Sequence, residues 1–135
     1  MARTEGWCRT PRRALVASGA GMDASAALSE LVELSTQVVE VVIADAGGEV
    51  EAARTSDDDR ARELATVGEA LLAEAAVVRP GQAVERVHVD LERGSVVVVR
   101  DGERSITATT VPEPTAGLVA FDLRTVLRRL GGAVA

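Results

Sequence analysis

At 135 residues, with 47% hydrophobic and 27% charged side chains, the chain has the size and balance of one globular domain with a modest core. A net charge of −6 argues against nucleic acid as a partner, and the fifteen basic residues are all arginine, so the ammonium group of P-loop and Schiff-base chemistry is missing. One cysteine, Cys8, and one histidine, His88, supply neither a disulfide framework nor a tetrahedral zinc site; a reducing, cytoplasmic setting with no metal or cofactor is expected.

Arg3, Arg9, Arg12 and Arg13 against Glu5 make residues 1–21 net +3, so the whole-chain −6 leaves −9 for residues 22–135. Residues 1–21, which hold Trp7 and Cys8, read as a disordered or misassigned basic tail, with Met22 as a second possible start. Ala14 to Ala20 is interrupted by Ser18 and Gly19 and is too weakly apolar for an export signal. No run approaches the roughly 20 apolar residues of a membrane span, so no membrane insertion is expected.

From Asp23, a plausible N-cap, Leu28, Leu31, Leu34 and Val38 recur at helical spacing and predict a first helix ending near Gln37. Val39 to Ala44 is a β-branched run, Ala46-Gly47-Gly48 a tight turn and Val50 to Arg54 a second strand, which together predict a hairpin. Ser56 is the expected cap of a second helix, with Asp57, Asp58 and Asp59 at its positive end, running to about Arg79 before Pro80-Gly81.

On that second helix, apolar residues from Val67 and Val78 through Leu71, Leu64, Gly68 and Ala61 to Leu72, Ala65 and Ala76 cover about half the circumference, against about 100° for a one-sided helix. The Leu/Val half suits a sheet. The small residues Ala61, Ala65, Gly68 and Ala76 suit close approach by another helix, and a second copy of the chain is the expected neighbour.

Three strands follow, Val84 to Glu92, Ser95 to Arg100 and Glu103 to Val111, joined at Arg93-Gly94 and Asp101-Gly102 into an antiparallel meander. Continuously apolar Val96 to Val99 predicts a strand covered on both faces, whereas Val87, Val89 and Leu91 alternate with Arg86, His88 and Asp90 as on an edge strand. Pro112-Glu113-Pro114 breaks the ladder. Thr115 is the expected cap of a last helix carrying Val119, Leu123, Val126, Leu127 and Leu130 and ending at Gly131-Gly132.

Candidates for chemistry are sparse. The three consecutive aspartates point in different directions on a helix and read as capping rather than cation binding. His88 reads as an exposed edge-strand residue; a Ser-His-Asp site would need a serine beside it, and no G-x-S-x-G sequence occurs. Arg124, Arg128 and Arg129 complement the last helix's negative end, and Gly47-Gly48 and Gly81 are turn glycines rather than a phosphate cradle.

The order α-β-β-α-β-β-β-α resembles the roadblock/dynein light chain family from about Ser25 to Leu130, in VEVVIADAGGEVEAA (39–53), VHVDLERGSVVVV (87–99) and PTAGLVAFDLRTVLRRL (114–130). The resemblance implies an α+β, profilin-like fold over residues 22–135, a single five-stranded antiparallel sheet with the middle helix on one face and the terminal helices on the other. It also implies dimers joined through edge strands and middle helices. Ala61, Ala65, Gly68, Leu72 and Ala76, with Arg86, His88 and Asp90, are the expected homodimer interface.

Bacterial relatives in the family act beside small Ras-like GTPases. The resemblance therefore implies a non-enzymatic module that regulates or scaffolds such a GTPase. The alternatives are a scaffold for a signalling or polarity complex without a GTPase, and a small enzyme centred on His88.

Overall fold

The computed structural model describes residues 23–131; the basic tail with Trp7 and Cys8, and Gly132, lie outside the described residues. The elements are α1 (Ala24–Leu34), β1 (Val38–Ala44), β2 (Val50–Arg54), α2 (Asp58–Val78), β3 (Arg86–Leu91), β4 (Gly94–Asp101), β5 (Arg104–Thr110) and α3 (Ala116–Leu130). The strands form one antiparallel sheet in the order β2-β1-β5-β4-β3, so β2 and β3 are its edges.

Alternation along the strands builds two cores. Val41 and Ile43 of β1, Val97 and Val99 of β4 and Ile106 and Ala108 of β5 face α1 and α3, where Leu28, Leu31, Val119, Leu123 and Leu127 complete one cluster. The residues between them face α2: Val42 and Ala44 pack with Ala61, Leu64 and Ala65, and Val96 and Val98 pack with Leu72. Four consecutive buried valines in β4 are thus divided between the two faces, as a strand covered on both sides requires. Each fully buried Leu or Val adds about 1.5–3 kcal/mol.

Three local expectations are corrected. α1 stops at Leu34 rather than Gln37, because Ser35 turns extended and donates its N–H to the Leu31 carbonyl at 2.8 Å; Leu34 overhangs the end, 75% exposed, and Val38 belongs to β1. The cap of α2 is Asp57, not Ser56: its carboxylate accepts from the Arg60 N–H at 2.8 Å, with Asp58 and Asp59 behind it in the first turn. Thr115 stands at the start of α3 but its side chain caps nothing, and Gln37 Oε1 accepts from the Thr115 N–H at 2.6 Å instead.

The larger correction concerns α2. The small residues Ala61, Ala65 and Gly68 face the chain's own sheet together with Leu64 and Leu72, while Val67, at 39%, and Val78, at 75% exposed, face outward. The sheet decides this. Its α2 face carries β-branched Val42, Val96, Val98 and Thr107, which leave little depth for a helix, and a Cβ on Gly68 would lie 2.0 Å from Thr107 Oγ1.

One polar cluster pins α2 to the sheet. Arg60 on α2 donates from Nε and Nη2 to the two carboxylate oxygens of Glu40 on β1, at 2.8 and 2.9 Å, and Thr109 on β5 donates to the same carboxylate at 3.0 Å. The Arg60 hydrogen bonds hold the Glu40 carboxyl below its ordinary range despite partial burial.

A depressed folded pKa contributes stability above the unfolded value of about 4.3, and that contribution is lost as pH falls through the folded pKa. Glu40→Gln is therefore expected to cost about 1 kcal/mol at pH 7, the pair being discounted for solvent access, and to approach wild type below about pH 4 in urea titrations. An equal cost at both pH values would refute the assignment.

Candidate functional site

The open edge of β3 and the outward shoulder of α2 lie side by side. Leu71 of α2 and Val84 and Val87 of the β3 segment pack against the same buried cluster, Leu72, Val96 and Val98. An apolar surface therefore runs from exposed Val67 and Val78, through half-buried Leu71, to Val87, with half-buried Val89 two residues along on the same face of β3.

The two edges of the sheet differ. β2 spans five residues, and its pairing with β1 is interrupted by a register shift between Ile43 and Ala44. β3 runs six residues in unbroken register against β4, from Arg86 opposite Val99 to Leu91 opposite Gly94. Bulges and short strands blunt edges against further pairing; a regular edge next to exposed valines is not blunted in that way.

The phase of the β3–β4 ladder follows from one bond. Arg100 donates its N–H to the Glu85 carbonyl at 3.0 Å, so Glu85 is a bonded position, and alternation makes Val87, Val89 and Leu91 bonded positions too. Arg86, His88 and Asp90 accordingly turn their N–H and C=O groups to the open edge.

The expected interface residues are therefore divided. Ala61, Ala65, Gly68 and Leu72 are buried between α2 and the sheet, while Ala76 is exposed. Arg86, His88 and Asp90 do lie on the edge strand, with their side chains on the α1/α3 face, opposite to α2. The residues that α2 and β3 present together are Val67, Leu71, Val78, Val87 and Val89. Val87 and Val89 are visible in the alternation; which shoulder of α2 joins them is not.

His88, Asp90 and Ser95 meet, in an order unsuited to nucleophilic catalysis. His88 Nε2 lies 2.9 Å and Ser95 Oγ 2.7 Å from the same Asp90 oxygen, so the carboxylate stands between base and hydroxyl. In a catalytic triad the imidazole occupies that middle place. The Ser95 hydroxyl, then His88, hold the Asp90 carboxyl below its ordinary range.

The arginines of α3 are engaged by the chain's own acids, Arg124 by Glu85 at 3.5 Å, Arg128 by Asp101 at 3.8 Å and Arg129 by Glu30 at 2.6 Å. A cleft of about 450 Å³ lies between the β1–β2 turn, the β4–β5 turn and the end of α3; its carboxylates include Glu51, paired with Arg104, and Asp101. Among the described residues no three His, Cys, Asp or Glu side chains converge as a metal site would require, and no helix is long and apolar enough to cross a membrane.

The five-stranded antiparallel sheet, with α2 on one face and α1 and α3 on the other, is the roadblock fold. A Roadblock/LC7 domain from Streptomyces avermitilis is similar to it with a TM-score of 0.70 at 20% identity, over 79% of this chain and 93% of that one. MglB of Myxococcus xanthus gives 0.66 at 13% identity over 80% and 84% of the two chains, and the gliding protein MglB of Thermus thermophilus gives 0.65 at 19% over 80% and 85%. By sequence, no family model and no curated protein matches.

Proposed function

We propose that this chain is a homodimeric, non-enzymatic interaction module of the cytoplasm that regulates or scaffolds a small Ras-like GTPase. Two copies join through the open edge of β3 and the adjoining shoulder of α2, extending one sheet into the next. The observation that carries this reading is the six-residue unbroken edge, with three residues' amides turned outward beside exposed Val67 and Val78. Edge pairing satisfies those amides while the valines leave water, which gives both specificity and driving force.

The GTPase rests on the family resemblance of residues 25–130 and on the shared fold of the two MglB proteins. A binding role agrees with the Asp90-centred arrangement at His88, which offers no activated nucleophile.

The test is capture from native lysate on the tagged full chain, in parallel with a non-hydrolysable GTP analogue and with GDP. A small GTPase retained in one nucleotide state at least about tenfold over the other is the expected result. Reproducible capture of other proteins, with no GTPase in either state, would replace the regulator with a GTPase-independent scaffold.

A further inference from the structure

The face of the sheet opposite α2 carries a second apolar surface, between α1 and α3. Arg129 reaches Glu30 at 2.6 Å, and Gln37, just past α1, accepts from the Thr115 N–H just before α3. The two helices therefore lie side by side and run in opposite directions. Leu34 stands one turn on from Glu30 on the same flank of α1, and helical spacing puts Leu118 and Asp122 with Arg129 on the facing flank of α3. Leu34, Leu118 and Phe121, which lies one turn beyond Leu118, are 75%, 50% and 65% exposed. Three large apolar side chains left in water at one end of a helix pair favour a covering partner.

The charges around them are of one sign. α1 carries Glu30 and Glu33 and no basic residue, Glu113 precedes α3, and Asp122 adjoins Phe121, while the arginines of α3 are engaged by the chain's own acids. Burial on the α1 flank pushes the Asp122 carboxyl above its ordinary range, a cost that a neighbouring cation would offset. An apolar and basic occupant fits this surface.

Residues 12–16, Arg-Arg-Ala-Leu-Val, have that character and belong to the chain itself. They lie outside the described residues, in the segment of net +3 that joins a remainder of net −9 at Asp23, the cap of α1. The 11 residues of α1 span about 16 Å, and the apolar surface lies at its far end. Leu15 and Val16 stand eight and seven residues before Asp23, about 23–26 Å of extended chain, so both reach it. Gly19 and Gly21 permit the reversal of direction that this path needs. Arg12 and Arg13 then fall at the same end of the helix pair as Glu33 and Glu113. Tethering raises the effective concentration of this segment to the order of mM, ahead of any free partner of like sequence.

We infer that residues 12–16 are a strap over the α1/α3 face, with Leu15 and Val16 on Leu34, Leu118 and Phe121 and the two arginines beside Glu33, Glu113 and Asp122. The strap lies opposite α2 and does not depend on how the β3 edge is used. It leaves the α2 side of the sheet as the face open to other proteins.

Trypsin cuts after arginine, so the strap carries its own reporter. The measurement is the initial rate of cleavage after Arg12 and Arg13 in the full chain, for wild type, Leu118→Gln/Phe121→Gln, Asp122→Arg and Val77→Gln. Val77 is exposed on α2, on the other side of the sheet. Cleavage after Arg3, outside the strap, is the reference within each chain, and the cutting rate after Arg12 and Arg13 follows the population of the released segment.

Leu118→Gln/Phe121→Gln is expected to be cut after Arg12 and Arg13 at least about tenfold faster than wild type, and Asp122→Arg at least about threefold faster. Val77→Gln should match wild type, and cleavage after Arg3 and within residues 23–131 should be equal in all four chains, which separates release of the strap from loss of the fold. A wild type cut after Arg12 and Arg13 as fast as Leu118→Gln/Phe121→Gln would overturn the strap. Equal acceleration by Val77→Gln would do the same. Protection that falls on dilution would assign the face to a second copy's segment and overturn the strap within one chain.

Discussion

Gly94→Ala is expected to cost about 3–5 kcal/mol of folding free energy, a large part of the roughly 5–15 kcal/mol typical of a domain. Two effects combine. Gly94 opens β4 at φ +147°, a conformation that costs an L-residue about 1–3 kcal/mol. A Cβ there would also lie 2.3 Å from the Thr110 carbonyl oxygen, a backbone atom that cannot rotate away, because β5 is held between β4 and β1. The strain falls where β3 turns into β4, so the edge strand should loosen as stability falls.

Gly102→Ala is the control: it also has positive φ, +68°, but no atom lies within 4 Å of the added Cβ. Its cost should stay near about 1 kcal/mol in urea denaturation. Equal costs at the two glycines would show that the contact with Thr110 contributes nothing.

Gly68→Ala is expected to destabilise by about 2–3 kcal/mol, although alanine is the better helix former by about 1 kcal/mol. The added methyl would meet Thr107 Oγ1 at 2.0 Å, Cβ at 3.1 Å and Cγ2 at 3.4 Å, so turning the threonine about χ1 only exchanges one crowded branch for the other. Thr107 is fully buried in the central strand β5, and the helix must rise to admit the methyl.

Thr107→Ala made alongside should relieve the clash. The cost of Gly68→Ala in that background is expected to vanish or change sign, a coupling of about 2–3 kcal/mol in a double-mutant cycle. A Gly68→Ala variant as stable as wild type would mean that α2 sits farther from the sheet than a 2.0 Å approach implies.

These two glycines also mark where sequence reading stops. Arg93 and the strands on either side place Gly94 in a turn, yet nothing local signals the Thr110 carbonyl, sixteen residues on. Gly68 stands out as small, and its smallness points as readily to a second copy of the chain as to its actual close neighbour, Thr107 of the same chain. With half the helix circumference apolar, periodicity does not say which flank meets the sheet.

The order and type of the eight elements are legible in the sequence alone, as are the turns at Gly47-Gly48 and Asp101-Gly102, the doubly covered valines of β4 and the edge character of β3. All of these are encoded within a few residues, in the periods of helix and strand and in turn chemistry. The resemblance carried by residues 39–53, 87–99 and 114–130 supplies the arrangement of helices about the sheet.

Packing in three dimensions settles the rest: which face of α2 is buried, that Glu40 is gripped by Arg60 twenty residues away, and that Arg86, His88 and Asp90 lie on the opposite face from α2 with their amides free. The physical reason is common to all three. A residue's facing depends on the depth and polarity of what it packs against, and those partners come from elements distant in the chain.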